Sequence, residues 1–247
     1  MTKPIRFAAL LACVLAAVAA VPANSFAQVK IQQLPKLDVM FSISSLGFGA
    51  QVAKPLPHRS DIRGGFNFYG YNNDLSEDGI HYAADVSLKS VNIQFDKYLV
   101  GGLFASGGAL VWNGNNADAT TSVPGGQSFS LGSASYISNP ASPVHGESGL
   151  TFRTMAPLAT LGFGNLTSKG RIAYTVEAGV AFHGTPAATL SLAGSACTPV
   201  GSTLVCQNAA TDPTIQSNVA AQQQKINDDI SNFKYYPILQ FSIGYKF

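Results

Sequence analysis

The chain has 247 residues, and only 11% of them are charged, against about 25% in ordinary soluble domains. Two of its fifteen basic residues, Lys3 and Arg6, lie at the extreme N-terminus; the other thirteen balance the thirteen acidic ones. So neutral a chain lacks the basic footprint of a nucleic-acid binder, and its Gly-, Ser-, Asn- and Tyr-rich composition would make a poorly charged soluble surface.

The N-terminus reads as a secretory signal peptide over 1–27. Lys3 and Arg6 precede an apolar run from Phe7 to Val21, and small residues at Ser25 and Ala27 place cleavage before Gln28. The run is shorter than the roughly 18 to 20 residues of a spanning helix. The alternative is a lipoprotein box, Leu10-Leu11-Ala12-Cys13, acylated at Cys13, although the apolar run continues well past it. Residues 28–247 then form one exported domain. No stretch of it has the length of a membrane helix, so it is either soluble or spans a membrane as a barrel, since only helices and closed barrels satisfy every backbone polar group in lipid.

In chain order, alternation predicts strands over 37–52, 62–72, 81–96, 102–113, 151–165, 171–183 and 234–247. In 62–72, Phe66 and Phe68 share a face opposite Arg63, Gly65 and Asn67; in 171–183, Glu177 falls among small residues opposite Tyr174, Val176 and Val180. The last strand alternates most cleanly, with Leu239, Phe241, Ile243, Tyr245 and Phe247 on one face and Gln240, Ser242, Gly244 and Lys246 on the other. Period-two alternation of this length fits a strand with lipid on one side and a polar lumen on the other, and a half-buried soluble strand has the same pattern. The phase slips by one between Ile43 and Leu46 and again near Lys89-Ser90, as at a β-bulge.

Seven strands conflict with the even number of bacterial single-chain barrels. A short strand over Val29–Leu34 would supply the eighth, or the last long connection holds a hairpin beyond the membrane. Short connections at 54–61, 97–101 and 166–170 alternate with longer ones at 73–80, 114–150 and 184–233, and Phe247 falls on the short-turn side. The segment 114–149, rich in Asn, Ser, Ala, Gly and Pro with only Asp118 and Glu147 charged, reads as a flexible surface loop. In the connection 184–233 Cys197 and Cys206 read as a disulfide in an oxidising compartment, with free thiols as the alternative. Asp212-Pro213 starts a helix to about Asn232, whose stripe of Ile215, Val219, Ile226 and Ile230 places it over or inside the barrel mouth.

No catalytic motif stands out: there is no Gly-x-Ser-x-Gly elbow, no His-Glu-x-x-His, no phosphate-binding glycine loop and no Cys/His metal spacing. The expectation is a protein without metal or cofactor and without enzymatic activity. The rival is a lipid-modifying enzyme using His81 or His183 with a nearby Ser. Alternation instead collects charge in the lumen: Arg63 and Glu177, and by the same count Asp85 and Lys89, are expected to neutralise one another there, because an unpaired buried charge is very costly.

Together with the signal peptide, the segments Leu46-Gly47-Phe48-Gly49, Arg63 to Phe68, Tyr174 to Gly179 and Tyr235-Tyr236-Pro237…Tyr245-Lys246-Phe247 resemble a group of small, mostly uncharacterised Gram-negative outer-membrane β-barrel proteins. The resemblance implies an all-β fold, a membrane-spanning antiparallel up-and-down β-barrel of about eight strands with one long loop carrying a helix, in the outer membrane. It implies that Tyr245 and Phe247 end the chain as an assembly signal read by the barrel-assembly machinery. The partners are then outer-membrane lipids and that machinery, and the role is structural, or that of a narrow pore or carrier of a small ligand.

Overall fold

A computed structural model describes residues 37–77 and 80–247. The expected signal peptide, the alternative acylation site at Cys13 and the alternative strand at Val29–Leu34 lie outside these residues.

Eight antiparallel strands pair in a closed ring: β1 (Asp38–Ser44), β2 (Gly47–Leu56), β3 (Ser60–Glu77), β4 (Ile80–Tyr98), β5 (Leu103–Asn113), β10 (Ala156–Gly164), β11 (Ile172–Ala181) and β15 (Tyr236–Lys246). Each pairs with the next, and β15 pairs back to β1. Closure leaves no free edge in the ring. Alternation fixes the faces. Along β15, Ile238, Gln240 and Ser242 are buried while Leu239, Phe241 and Ile243 are exposed. On β1, Phe41 is 75% exposed between buried Met40 and Ser42. Apolar side chains thus cover the outside and the polar ones turn inside, the arrangement of a barrel whose solvent is lipid.

The missing eighth strand lies inside the segment 37–52. That segment is two strands, joined by a two-residue turn at Ser45-Leu46 in which Ser44 stands directly opposite Gly47. The Leu46 amide donates to Ser44 Oγ at 3.1 Å, and Gly47 adopts φ +106°, a conformation glycine reaches without steric cost. The phase slip between Ile43 and Leu46 is this hairpin, not a bulge. With it, residue 37 and Phe247 lie at the same end of the barrel as the short turns.

The second slip also has another cause. Pairing of β3 with β4 runs without a break from Ser60 opposite Lys97 to Glu77 opposite Ile80. The register shift lies between β4 and β5, where Val111 is the extra residue. The luminal face of β4 keeps its parity throughout and changes only in character, from Ser90, Asn92, Gln94 and Asp96 to Leu88, Val86 and Tyr82. The strands β3 and β4 have 18 and 19 residues, whereas about 9 to 11 suffice to cross a membrane, so their far halves project beyond it.

That projection templates an extension. The outer half of β4 pairs with β6 (Asn116–Val123), β6 with β9 (Val144–Thr151), and β9 with β12 (Ala187–Ala193). A second sheet of β7 (Ser128–Leu131), β8 (Ala134–Ser138), β13 (Ser195–Val200) and β14 (Thr203–Asn208) stands beside it. The segment 114–149 is therefore mostly strand. Its small polar residues carry little strand signal of their own; they pair because β4 offers them an open edge.

The helix α1 (Pro213–Ile230) begins at the N-cap Asp212, whose carboxylate accepts from the amides of Thr214 and Ile215 at 3.0 Å each. Ile215 and Val219 enter a core shared with Val123, Leu131, Tyr136 and Val144. Side chains of α1 also cover the free edge of β12: Asn227 accepts from the Ala188 amide at 2.8 Å and Gln223 from the Leu190 amide at 3.1 Å. Exposed strand edges invite pairing with other chains, and here side-chain amides occupy that edge.

Candidate functional site

The barrel interior is filled in three layers. At the short-turn end Met40, Ala53, Tyr98, Phe104, Leu166 and Ala173 form an apolar plug. At the other rim Leu46, Leu110, Ala156, Leu158, Ala181 and Ile238 form a second. Between them lies a hydrogen-bonded polar layer.

Its centre is Arg63, projecting inward from β3 and fully buried. Its Nη1 and Nη2 donate to the two oxygens of Glu177 on β11 at 2.7 and 3.0 Å, spanning the lumen. Toward β4, Nε lies 2.5 Å from Asp96 Oδ2 and Nη2 donates to Asp96 Oδ1 at 3.1 Å. The guanidinium is thus clamped between two carboxylates, the planar bidentate geometry that suits arginine. Gln51 accepts a further bond at 3.3 Å, and the Phe104 ring lies 5.4 Å from the guanidinium carbon. Glu177 accepts in addition from Thr160 Oγ1 at 2.7 Å and Gln240 Nε2 at 2.6 Å, so its one carboxylate ties β11 to β3, β10 and β15.

The structure brings Arg63 and Glu177 together and leaves Asp85 and Lys89 out. Both are exposed, because odd positions of β4 share the outward face with Val91, Ile93 and Phe95. Asp85 stands opposite Asp118 of β6 on the wall of the extension, and Lys89 points outward above the apolar band. Their expected place in the lumen assumed a parity switch that β4 does not make. Sequence reasoning missed Asp96, Gln51, Thr160 and Gln240. The signal for Asp96 was present in the unbroken alternation of Ser90, Asn92, Gln94 and Asp96 against Val91, Ile93 and Phe95. Directly opposite Asp96 on β3 stands Asp61, also fully buried, so the lower lumen is acidic.

The remaining expected residues lie elsewhere. Cys197 and Cys206 are disulfide-bonded across directly opposite positions of β13 and β14, in the extension. Tyr245 and Phe247 lie on the outward face at the short-turn end, 43% and 70% exposed, with rings 5.1 Å apart. His81 Nδ1 is 2.7 Å from Ser76 Oγ, in the exposed end of the β3–β4 hairpin. His183, just past β11, is buried against Phe152 and Tyr236, and burial lowers its pKa.

These features define a plugged, membrane-spanning β-barrel of the outer-membrane type, carrying an extension outside the membrane; among the described residues no helix is long and apolar enough to cross one. No family model and no curated protein sequence matches the chain. Among solved structures it resembles Acinetobacter baumannii CarO, with 19% identity, a TM-score of 0.52, and coverage of 85% of this chain and 97% of that one. It resembles A. baumannii CarO2 similarly, with 19% identity, a TM-score of 0.53, and coverage of 87% and 100%. At this identity the likeness is one of fold.

Proposed function

We propose that the protein is a non-enzymatic outer-membrane barrel that serves as a carrier or narrow conduit for a small molecule, and that it holds no open aqueous channel. The observation that carries this reading is the Arg63 clamp, which bridges opposite walls of a lumen already closed by apolar layers at both ends. An eight-stranded barrel is just wide enough for side chains to fill, and these side chains fill it. The test is conductance of the protein in planar bilayers. A silent bilayer is expected; steady single-channel steps on the order of nanosiemens would overturn the proposal.

The lipid-modifying alternative draws on the Ser76–His81 contact, since a nucleophile needs a base within hydrogen-bond reach. No described residue hydrogen-bonds the other ring nitrogen of His81, and the pair stands exposed at a hairpin end, where water competes for it. Among the described residues His183 has no hydroxyl partner. The contact is better read as tying β3 to β4. If overexpression changed the mass of envelope lipids and His81→Ala abolished the change, the enzymatic reading would replace this one.

The proposal includes recognition of the chain's end by the assembly machinery and lipid contact along the outer band. Phe247→Ala is expected to lower the amount of folded protein in the envelope several-fold in cells, while protein refolded in vitro keeps its stability. The reason is that one exposed aromatic at the barrel end contributes at most about 1.5 to 3 kcal/mol. Normal levels in cells would remove the assembly role from Phe247.

A further inference from the structure

The two faces of the β4–β6–β9–β12 sheet differ sharply in charge. One continues the outer wall of the barrel and bears His81, Asp85, Asp118, His145 and Glu147. The other continues the luminal face. Along β4 it runs through Ile80, Tyr82, Ala84, Val86 and Leu88, and the facing positions of β6, β9 and β12 add only Ala, Thr, Val, Gly, Ser and Leu. No side chain on it carries a formal charge.

The helix α1 covers this face incompletely. The first half of its apolar stripe, Ile215 and Val219, is buried. The second half, Ile226 and Ile230, is only half-buried. Ile226 lines two cavities at once, and the larger measures about 600 Å³. It lies between the sheet, β7 and α1, with Tyr82, Phe129, Leu190 and Gln222 in its walls. The smaller, ≈ 230 Å³, is bounded by Ala84, Val86, Ala117 and Ala188, on the side of the sheet nearer the barrel. Tyr71, opposite Val86 on β3, is 51% exposed on the same face.

We propose that the space beneath α1 is a binding site for a small, uncharged aromatic molecule carrying a hydroxyl or carbonyl group. Its volume falls within the roughly 300 to 1,000 Å³ of small-molecule sites, which are mostly apolar with a few polar groups that fix orientation. No charged side chain of the sheet faces the space, since Glu147 and Asp118 border the two cavities from positions on the opposite face; this selects against ions, which would lose hydration without a counter-charge. The hydroxyl of Tyr82 and the amide of Gln222 offer hydrogen bonds to a neutral polar group. Gln222 is held in place, its Oε1 accepting from the Gly132 amide at 3.2 Å. Ile226 stands between the two cavities as a divider, so a molecule in the larger one advances toward the barrel mouth only when that side chain or α1 shifts.

This inference rests on the carrier reading and supplies its ligand class. The test is equilibrium dialysis of the protein in lipid nanodiscs, with empty nanodiscs subtracted, against 4-phenylphenol, biphenyl-4-carboxylate and biphenyl-4-ylmethylammonium. Saturable binding of 4-phenylphenol is expected, at least tenfold tighter than that of either charged analogue. Ile226→Trp, which fills the divider position, and Leu190→Trp, from the opposite wall, are each expected to weaken binding at least tenfold, with heat-modifiable gel migration reporting an intact barrel. Binding no greater than to empty nanodiscs, equal binding of the charged analogues, or affinity indifferent to both substitutions would overturn the proposal. The plugged-barrel reading is judged separately by conductance: a silent barrel that binds nothing loses only this site, whereas nanosiemens steps overturn the barrel reading whatever binds.

Discussion

The barrel and its extension are built on one strand, yet they are inside-out with respect to each other. On β4 the face that turns inward bears Ser90, Asn92, Gln94 and Asp96 within the barrel, and Val86, Ala84 and Tyr82 beyond it. The outward face changes the opposite way, from Phe95, Ile93 and Val91 to Lys89, Asp85 and His81. Lipid outside the barrel takes the apolar side chains and leaves the polar ones to satisfy one another within. Water outside the extension takes the charges and leaves the apolar side chains to pack under α1. The difference teaches that the surrounding solvent sets which face is apolar, while the pleat stays continuous.

The largest expected effect tests the inward side of that contrast in the barrel. Arg63→Ala strands both Asp96 and Glu177, and Glu177→Ala strands part of Arg63; each should destabilise the folded barrel in urea by roughly 3 to 5 kcal/mol, the cost of breaking a buried pair, with Arg63→Ala the more severe. The double variant should lose less than the two singles together, since residues in one network couple. Strictly additive losses would show that the pair does not act as a unit.

The extension should respond as a soluble core does. Ile215→Ala removes a buried side chain and leaves a cavity, at an expected cost of roughly 2 to 4 kcal/mol. Because that core is separate from the barrel plugs, limited proteolysis should cut the extension while heat-modifiable migration of the barrel persists. Joint loss of both would mean that the two regions fold as one.

Reduction of Cys197–Cys206 is expected to cost less, about 2 to 3 kcal/mol at most for so short a loop, and to leave the barrel intact. Alkylation under denaturing, non-reducing conditions should find no free thiol in the mature chain.

The smallest effect lies at the junction. Burial lowers the pKa of His183 below its ordinary 6.5, opposed in part by its hydrogen bond with the Gly184 backbone. The folded protein therefore binds this proton more weakly than the unfolded chain. The contribution of neutral His183 is whole above about pH 6.5 and is lost as the pH falls below it. Urea midpoints measured at about pH 8 and about pH 5 should differ more in the native protein than in His183→Phe, which keeps the ring contacts without the titration. An equal difference in both would assign the pH dependence to other groups.

The sequence by itself determined the local pattern of the barrel wall. Alternation in β11 and β15 named the lipid face and turned Glu177 inward, and the Asp212-Pro213 start placed α1 to within two residues of its end. These follow from short-range chemistry, the period of a pleated strand and the cap of a helix. What only the tertiary structure decided depended on long-range partners. A two-residue turn at Ser45-Leu46 looked like a slip of phase until β1 and β2 were paired. The strands of 114–149 had too little apolar signal to be read as strands, because β4 supplies the edge they pair with. Asp96 joined Arg63, while Asp85 and Lys89 did not, because whether a continuous face meets lumen, lipid or water depends on where the strand leaves the membrane, a property of the assembled barrel and not of the residues in their order.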